Sequence, residues 1–393
     1  MTASRRNTTR RWARLLAAPF VLAGALTAAA PGSASAATCI PVTGLPMPAN
    51  PQGDDQALNG AAVLGPCDAW AVGATGGRTV ANRTLTEHYD GSGWTIVPSP
   101  SPDQSGADNV LKAVAAVSPA NVWAVGLINQ GSTVQSLIER WDGSSWTVQQ
   151  AGAPGLPAGT SASLSAVTAT SATDIWAAGV SFAAGNGHGQ PLIEHYDGHA
   201  WTVVTGGSLP SGNLDGSLAG ITATSPADAW AVGTTATGNS IGHTLTEHWN
   251  GTSWTVVPSA NPGLPSALTG VAALTSNNAW AVGSTTSNGS SQALIEHWDG
   301  RTWTQAAIPA IGTASRLNGV AATSDRNIWA AGDFSDSNGG HTLAEQFDGN
   351  NWNLIPSPDG GQANELLGVG TSSATSTWLV GRADSQTLAI NCC

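Results

Sequence analysis

The residues best suited to acid–base chemistry recur at one place in successive segments of the chain. Six glutamates occupy it: Glu87, Glu139, Glu194, Glu247, Glu296 and Glu345. Histidine follows in four segments, as His88, His195, His248 and His297. Catalysis normally needs an acid and a base in different environments, so a repeated group favours a structural role. Because buried carboxylates are costly, we expect these glutamates to have hydrogen-bonding partners.

A second set of histidines lies in segments rich in Gly, Ser and Asn. These are His188, His243 and His341, with His199 in a tight turn. They could bind a metal only if their segments converged, and their wide separation in the chain makes this difficult. The cysteines also have no histidine at ligand spacing. We therefore expect no metal and no cofactor.

These residues belong to a repeat whose signature is Trp-Ala-Val-Gly. The phrase and its variants begin at Trp70, Trp123, Trp176, Trp230, Trp280, Trp329 and Trp378. The intervals are 53, 53, 54, 50, 49 and 49 residues, and a Leu precedes each Trp by twelve residues. Seven copies at a near-constant period predict a repeat architecture.

The sixth copy shows how one repeat folds. It predicts four short strands, at 317–323, 328–332, 342–347 and 352–355. Asp348-Gly349 favours a two-residue type I′ turn between the last two strands. Four short strands per repeat are typical of a propeller blade. We therefore predict an all-β, seven-bladed β-propeller with four antiparallel strands per blade, formed as a single domain by residues 37–393.

Aromatic residues flank the turn between the third and fourth strands in six copies. The residue before the turn is Tyr89, Trp141, Tyr196, Trp249, Trp298 or Phe347, and the one after it is Trp94, Trp146, Trp201, Trp254, Trp303 or Trp352. We expect these rings to pack between blades. Gly and Ala in the first strand, as at Gly220 and Gly270, indicate the crowded region near the propeller axis.

The seventh copy ends after its third strand, at residues 388–393. Residues 39–42 precede the first copy and resemble a fourth strand, so we predict that they complete the last blade and remove an open edge. This order places Cys39, Cys67, Cys392 and Cys393 around one seam. We predict disulfides Cys39–Cys392 and Cys67–Cys393, or the swapped pairing.

Residues 1–36 are typical of a secretion signal peptide, with five arginines, an apolar stretch and Ala34-Ser35-Ala36 as a cleavage site. The remaining chain has 8 basic and 25 acidic residues, a formal net charge of −17. Such an acidic surface repels phosphate backbones, so we expect no nucleic-acid partner. No later segment is long and apolar enough for a membrane span. We expect a secreted, extracellular bacterial protein that is a monomer.

The Glu-x-Tyr/Trp-Asp-Gly hairpin and the Trp that follows it resemble kelch-type repeats and the central propeller of galactose oxidase. The Asp-Gly-x-x-Trp spacing also resembles the Asp-box turn of sialidases. The resemblance covers about residues 38–393 and implies the propeller fold. The activities do not carry over: Tyr89 and Tyr196 both sit at repeat positions, and the arginines are scattered among blades.

Loop length separates the two faces of the predicted propeller. Second-to-third and fourth-to-first connections emerge together and include the long segments 74–82, 99–110, 151–163, 180–190, 206–217 and 234–243. We call this side the long-loop face. Ligand-binding residues concentrate on variable loops of a rigid scaffold. The candidates for ligand binding are Phe182, Asn186, His188, Asn213, Asp215, Asp333, Phe334 and Asp336.

The repeat pattern provides no asymmetric acid–base pair, so the sequence favours a non-enzymatic binding scaffold that recognises a glycan or an extracellular protein through the long-loop face. Two alternatives stay open. One is a secreted polysaccharide-active hydrolase or lyase with carboxylates on that face. The other is an extracellular structural component.

Overall fold

A computed structural model describes residues 39–41, 55–77, 80–103, 105–185, 187–237, 242–287 and 289–392. The predicted signal peptide 1–36, the candidate Asn186 and Cys393 lie outside the described residues. No helix in the described ranges has the length and hydropathy needed to cross a bilayer.

The described residues form seven four-stranded antiparallel sheets, which confirms the predicted seven-bladed β-propeller. Consecutive strands pair within each blade, from the inner strand near the axis to the outer strand at the rim. Blades 1 and 2 comprise β2 (Gln56–Gly65), β3 (Asp68–Gly77), β4 (Val80–Tyr89), β5 (Trp94–Ile96), β6 (Asp108–Ser118), β7 (Asn121–Asn129), β8 (Val134–Trp141) and β9 (Trp146–Ala151). Blades 3 and 4 comprise β10 (Ser161–Ser171), β11 (Asp174–Phe182), β12 (Gly189–Tyr196), β13 (Trp201–Val204), β14 (Asn213–Ser225), β15 (Asp228–Thr237), β16 (Gly242–Trp249) and β17 (Trp254–Val256).

The remaining blades follow the same order. Blades 5 and 6 comprise β18 (Ser266–Thr275), β19 (Asn278–Ser287), β20 (Ser290–Trp298), β21 (Trp303–Gln305), β22 (Ala314–Ser324), β23 (Asn327–Asp336), β24 (Gly339–Phe347) and β25 (Trp352–Ile355). Blade 7 comprises β26 (Asn364–Ser373), β27 (Ser376–Ala383), β28 (Gln386–Cys392) and β1 (Cys39–Pro41).

Each inner strand contains an irregularity directly after its repeat Leu. In blade 4, the register passes from Leu218 to Gly220 and leaves out Ala219. The Gly that ends Trp-Ala-Val-Gly lies opposite, where a Cβ on Gly233 would stand 1.9 Å from the Ser217 carbonyl oxygen. This close backbone approach explains why Gly recurs three residues after each Trp.

The tryptophan of each second strand packs against the next blade, as predicted. Trp230 of blade 4 is fully buried, 4.9 Å from Trp298 and 5.1 Å from Trp303 of blade 5 between ring centroids. The same arrangement joins blade 7 to blade 1, where Trp378 contacts Tyr89 at 4.8 Å and Trp94 at 5.0 Å. Offset and edge-on aromatic contacts of this kind hold neighbouring blades together.

The prediction of a two-residue type I′ turn was wrong. The last pair of the blade 1 hairpin is Tyr89 with Trp94, so the loop has four residues, 90–93. Only Gly91 has a positive φ, of 91°, whereas a type I′ turn needs two such residues. The Asp90 carboxylate instead accepts hydrogen bonds from the backbone N–H groups of Ser92 at 2.8 Å and Gly93 at 3.2 Å.

The seam that closes the ring contains cysteines in place of an aromatic pair. β1 pairs with β28, with Cys39 directly opposite Cys392, which confirms the predicted completion of the last blade. These positions correspond to Tyr89 and Trp94 in blade 1, and Cys392 packs in one buried cluster with Trp329 of blade 6. Cys392 is disulfide-bonded. A Cys39–Cys392 bond would therefore occupy the space that two rings fill elsewhere.

The predicted disulfide of Cys67 is absent from the structure. Cys67 is a free, exposed thiol. It lies in the turn between β2 and β3 and packs on Gly91 of the hairpin in its own blade, where a Cβ would stand 2.9 Å from the Cys67 sulfur. Its side chain is therefore engaged within blade 1 instead of crossing the seam.

We expect non-reducing peptide mapping to recover a Cys39–Cys392 bond, with Cys67 alkylated in the native protein. Replacing Cys39 and Cys392 by Ser should reduce the free energy of unfolding by roughly 2–5 kcal/mol, because the long closed loop is released. Cys67→Ser is the matched control and should leave it unchanged. Free thiols at Cys39 and Cys392 would contradict the prediction.

Trp230→Ala should reduce the free energy of unfolding by about 3–5 kcal/mol, since it leaves a cavity between two blades. Leu354→Ala, at a position 43% exposed on an outer strand, serves as control and should have little effect. Denaturant unfolding measures both. Equal losses in the two variants would mean that the interblade rings do not carry the stability.

Candidate functional site

The recurring glutamates lie buried between blades, each with no exposed surface. Three have partners from the preceding blade, as predicted: Glu194 accepts from Gln150 Nε2 at 2.8 Å, Glu247 from the Gly207 N–H at 2.7 Å and Glu296 from the Ala260 N–H at 3.2 Å. The carboxyl oxygens of Glu87, Glu139 and Glu345 have no partner among the described residues.

Burial raises the pKa of every member of this glutamate ring. The value rises to about 8 for Glu87, Glu139 and Glu296 and to about 7 for Glu194, Glu247 and Glu345. Desolvation disfavours the charged form and is the main cause in each case. Six similar sites closed to solvent fit a structural role, because no substrate can reach them.

The repeated histidines stabilise the opposite, short-loop side of the blades. His88 Nε2 lies 2.9 Å from Asp68, and the same pair recurs at 2.7 Å between His195 and Asp174 and between His248 and Asp228. Each imidazole also contacts the tryptophan of its blade, with centroids 4.0–4.5 Å apart. The repetition of this pair with the blades indicates packing and not a catalytic site.

The structure brings four of the predicted binding residues together on blades 3 and 4. Phe182 ends β11 and is 42% exposed. His188 Nδ1 lies 3.1 Å from the Asp215 carboxylate on β14, which also accepts a hydrogen bond from the Gly189 N–H at 2.9 Å. The hydrogen bond with His188 lowers the pKa of Asp215. We call Phe182, His188, Asn213, Leu214 and Asp215 the blade 3–4 site.

Two open cavities lie on either side of the His188–Asp215 pair. One, of about 280 Å³, is lined by Val180, Phe182, Asp215, Thr234 and Ala236, together with small residues. The other, of about 600 Å³, is lined by His188 and Asn213, with Leu209 and Leu214 among its apolar residues. Leu214 is 49% exposed.

Polar groups at the smaller cavity are largely engaged within the protein. Asp215 is bound by His188 and Gly189, as described above. The Thr234 hydroxyl donates to the His243 carbonyl oxygen at 3.1 Å. The cavity therefore offers a ligand mainly the apolar surfaces of Val180, Phe182 and Ala236.

The other predicted residues lie on blade 6, where they belong to two separate groups. Asp333 accepts a hydrogen bond from Arg316 Nε at 2.8 Å, and Arg316 also binds Glu365, which accepts from Arg382 Nε at 2.9 Å. Desolvation raises the pKa of Asp333, more than the neighbouring Arg316 lowers it. These alternating charges link blades 6 and 7.

Phe334 and Asp336 surround His341. The rings of Phe334 and His341 stack at 4.9 Å, and the imidazole is held between Asp336 at 3.1 Å and Asp359 at 2.7 Å. Hydrogen bonding to Asp359, and then to Asp336, raises the pKa of His341. The two carboxylates bind different ring nitrogens, and no group of three or more His, Cys, Asp or Glu in the described ranges could hold a metal.

Two features of these groups differ from the sequence interpretation. Phe182, Asn213, Asp215, Asp333, Phe334 and Asp336 were predicted on loops but lie on strands, because the hairpins extend beyond the sheet core. Arg316, Glu365 and Leu214 were missed. A signal for the first two exists, since the residue before the repeat Leu is charged only in blades 6 and 7.

No protein-family profile matches the chain, and no curated protein sequence matches it either. Among solved structures, "YCF48 bound to D1 peptide" is 15% identical with a TM-score of 0.53, covering 91% of this chain and 97% of that one. YCF48 from Cyanidioschyzon merolae is 14% identical with a TM-score of 0.56, covering 90% and 99%. Ulvan lyase of polysaccharide lyase family PL25 is 10% identical with a TM-score of 0.54, covering 86% and 93%.

These similarities show the propeller fold, and at such identities they show the fold alone. They provide no evidence for a kelch or galactose-oxidase family. The blade architecture is therefore shared with proteins of different activities.

The glutamate ring should make the protein less stable as the pH rises from about 5 to about 8. Because the folded pKa values lie above 4.5, the folded state binds more protons than the unfolded chain in this window, and stability falls with pH. Glu139→Gln should recover roughly 1–3 kcal/mol at the upper end and little at the lower end. Thermal unfolding followed across this range measures both effects. A melting temperature that rises with pH would contradict the prediction.

Proposed function

We propose that this protein is a secreted, non-enzymatic binding scaffold that recognises an extracellular protein or a glycan through the long-loop face. The observation that carries the proposal is the blade 3–4 site, where Phe182 and Leu214 are 42% and 49% exposed beside two cavities. Exposed apolar side chains around a concave surface are typical of a binding site.

A protein segment fits this site better than a sugar does. Sugar recognition needs hydrogen-bonding groups that are free to bind hydroxyls, whereas Asp215 and Thr234 at the smaller cavity are already hydrogen-bonded within the protein. An apolar side chain would be buried by Val180, Phe182 and Ala236. The net charge of −17 outside residues 1–36 further favours a partner that carries basic residues beside the apolar one.

The structural neighbours are compatible with this proposal. YCF48 was solved bound to a D1 peptide, so a similar propeller accommodates a peptide. The PL25 ulvan lyase was solved bound to -[GlcA(1-4)Rha3S]-, so the fold also accommodates a carbohydrate ligand. Whether the ligand is a protein segment or a glycan therefore depends on the side chains of this protein and not on its fold.

A polysaccharide-active hydrolase or lyase is the second candidate, and the His341 group is the observation that favours it. An imidazole between Asp336 and Asp359 beside Phe334 is an asymmetric set that does not recur among the described residues of the other blades. However, the raised pKa of His341 favours the protonated form, which is unsuited to the role of general base. We therefore place binding ahead of catalysis.

A displayed random-peptide library, screened beside a glycan array, tests the proposal with the purified protein as the bait. We expect enriched peptides to contain an apolar residue next to Lys or Arg. Phe182→Ala combined with Leu214→Ala should weaken the selected peptides by about tenfold or more, because the apolar contacts are lost.

Leu354→Ala is the matched control, since Leu354 is 43% exposed but lies on outer strand β25, and should bind as the parent does. Binding on the glycan array that the double variant abolishes would assign the site to carbohydrate instead. Turnover of a polysaccharide that is lost in His341→Gln would overturn the non-enzymatic proposal.

A further inference from the structure

The axial channel is lined by one irregular residue from each blade. The register of every inner strand leaves out the residue after its repeat Leu, and these residues are Asn59, Lys112, Ser165, Ala219, Thr269, Asn318 and Leu367. All seven border a cavity of about 160 Å³ on the axis. β-Bulges commonly redirect a side chain in this way.

The seven positions are not equivalent chemically. Asn59, Thr269 and Asn318 donate to the Leu carbonyl oxygens of the next blade, at 2.7 Å in each case. Asn318 also donates to Asp333 at 3.3 Å, so its amide hydrogens are both engaged. Ala219 and Leu367 contribute apolar surface. Blades 4–7 therefore contribute only apolar residues and polar residues that are bound to the next blade.

The channel-lining residues of blades 1–3 have a different chemical character. Lys112 is the only lysine of the entire chain and the only charged residue that borders the channel cavity. Asn59 and Ser165 flank it on the neighbouring blades. One Asn59 Nδ2 hydrogen remains beyond the bond to Leu111, and the Ser165 hydroxyl makes no hydrogen bond to another described residue.

Lys112 has no acidic partner within the described ranges. The channel residues include no carboxylate, and Lys112 forms no ion pair with a described residue. The channel walls lower the pKa of Lys112 by desolvation, and no neighbouring acid raises it. The Lys112 side chain is itself exposed, so its ammonium is accessible from the channel, and with no carboxylate beside it this position favours an anion.

We propose that the axial channel binds a small monocarboxylate, with its charge on Lys112. Asn59 and Ser165 donate hydrogen bonds to the carboxylate oxygens from the two adjacent blades. Ala219 and Leu367 accommodate its short alkyl tail, which selects a carboxylate over an inorganic anion. This site is independent of the blade 3–4 site.

Selective labelling isolates the site, because lysine enriched in ¹³C and ¹⁵N produces a single side-chain signal in this protein. We expect acetate to raise the titration midpoint of Lys112 by about one pH unit when its concentration is tenfold above Kd. Acetamide, a neutral molecule of similar shape, should have no effect, and chloride at the same ionic strength should have much less. This test uses the wild-type protein and needs no variant.

Two variants extend the test by calorimetry. Lys112→Arg keeps the charge and should retain acetate binding, whereas Lys112→Met should lose it with an unchanged melting temperature. The Phe182→Ala and Leu214→Ala double variant should bind acetate normally, which separates this site from the proposed partner site. An unchanged midpoint in acetate, or equal effects of acetate, acetamide and chloride, would overturn the proposal.

Discussion

The structure depends on one contact repeated around the axis, the insertion of a buried tryptophan between two aromatic rings of the next blade. A four-stranded blade cannot bury both of its faces, so its stability comes from its neighbours. Trp230 against Trp298 and Trp303 is one instance of this contact. The Gly at the end of each Trp-Ala-Val-Gly phrase is part of the same constraint, because it allows the inner strand to pass closely beside the tryptophan strand.

The seam between blades 6 and 7 shows how this constraint is met where strands from the two ends of the domain share one blade. Blade 7 is completed by β1, which comes from the other end of the domain, so no hairpin joins its last two strands. Cys392 occupies the corresponding place and packs with Trp329. The Cys39–Cys392 bond that we predict would join β1 to β28 at the position that an aromatic pair occupies in the other blades.

Departures from sevenfold regularity indicate where function lies. The glutamate ring and the His–Asp pairs recur with the blades and are buried or packed, so they contribute to the scaffold. The blade 3–4 site, the Arg316–Glu365 group and Lys112 each occur once. In a repeat protein, a polar or exposed apolar residue that only one repeat carries cannot be explained by packing common to all repeats. Both the proposed partner site and the proposed channel site consist of residues that only one or two repeats carry.

The sequence by itself determined the number of blades, their strands and the closure by residues 39–42, because Leu, Trp and Gly at fixed spacing have one packing solution that satisfies all seven copies. It also identified Phe182, His188 and Asp215 as members of one face. Only the tertiary structure decided that His188 and Asp215 are paired, that Asp333 belongs with Arg316 and Glu365, and that Cys67 packs within its own blade. The physical reason is that the sequence pattern gives the spacing along one strand, whereas these contacts join residues of different strands, loops or blades, which only the folded chain brings together.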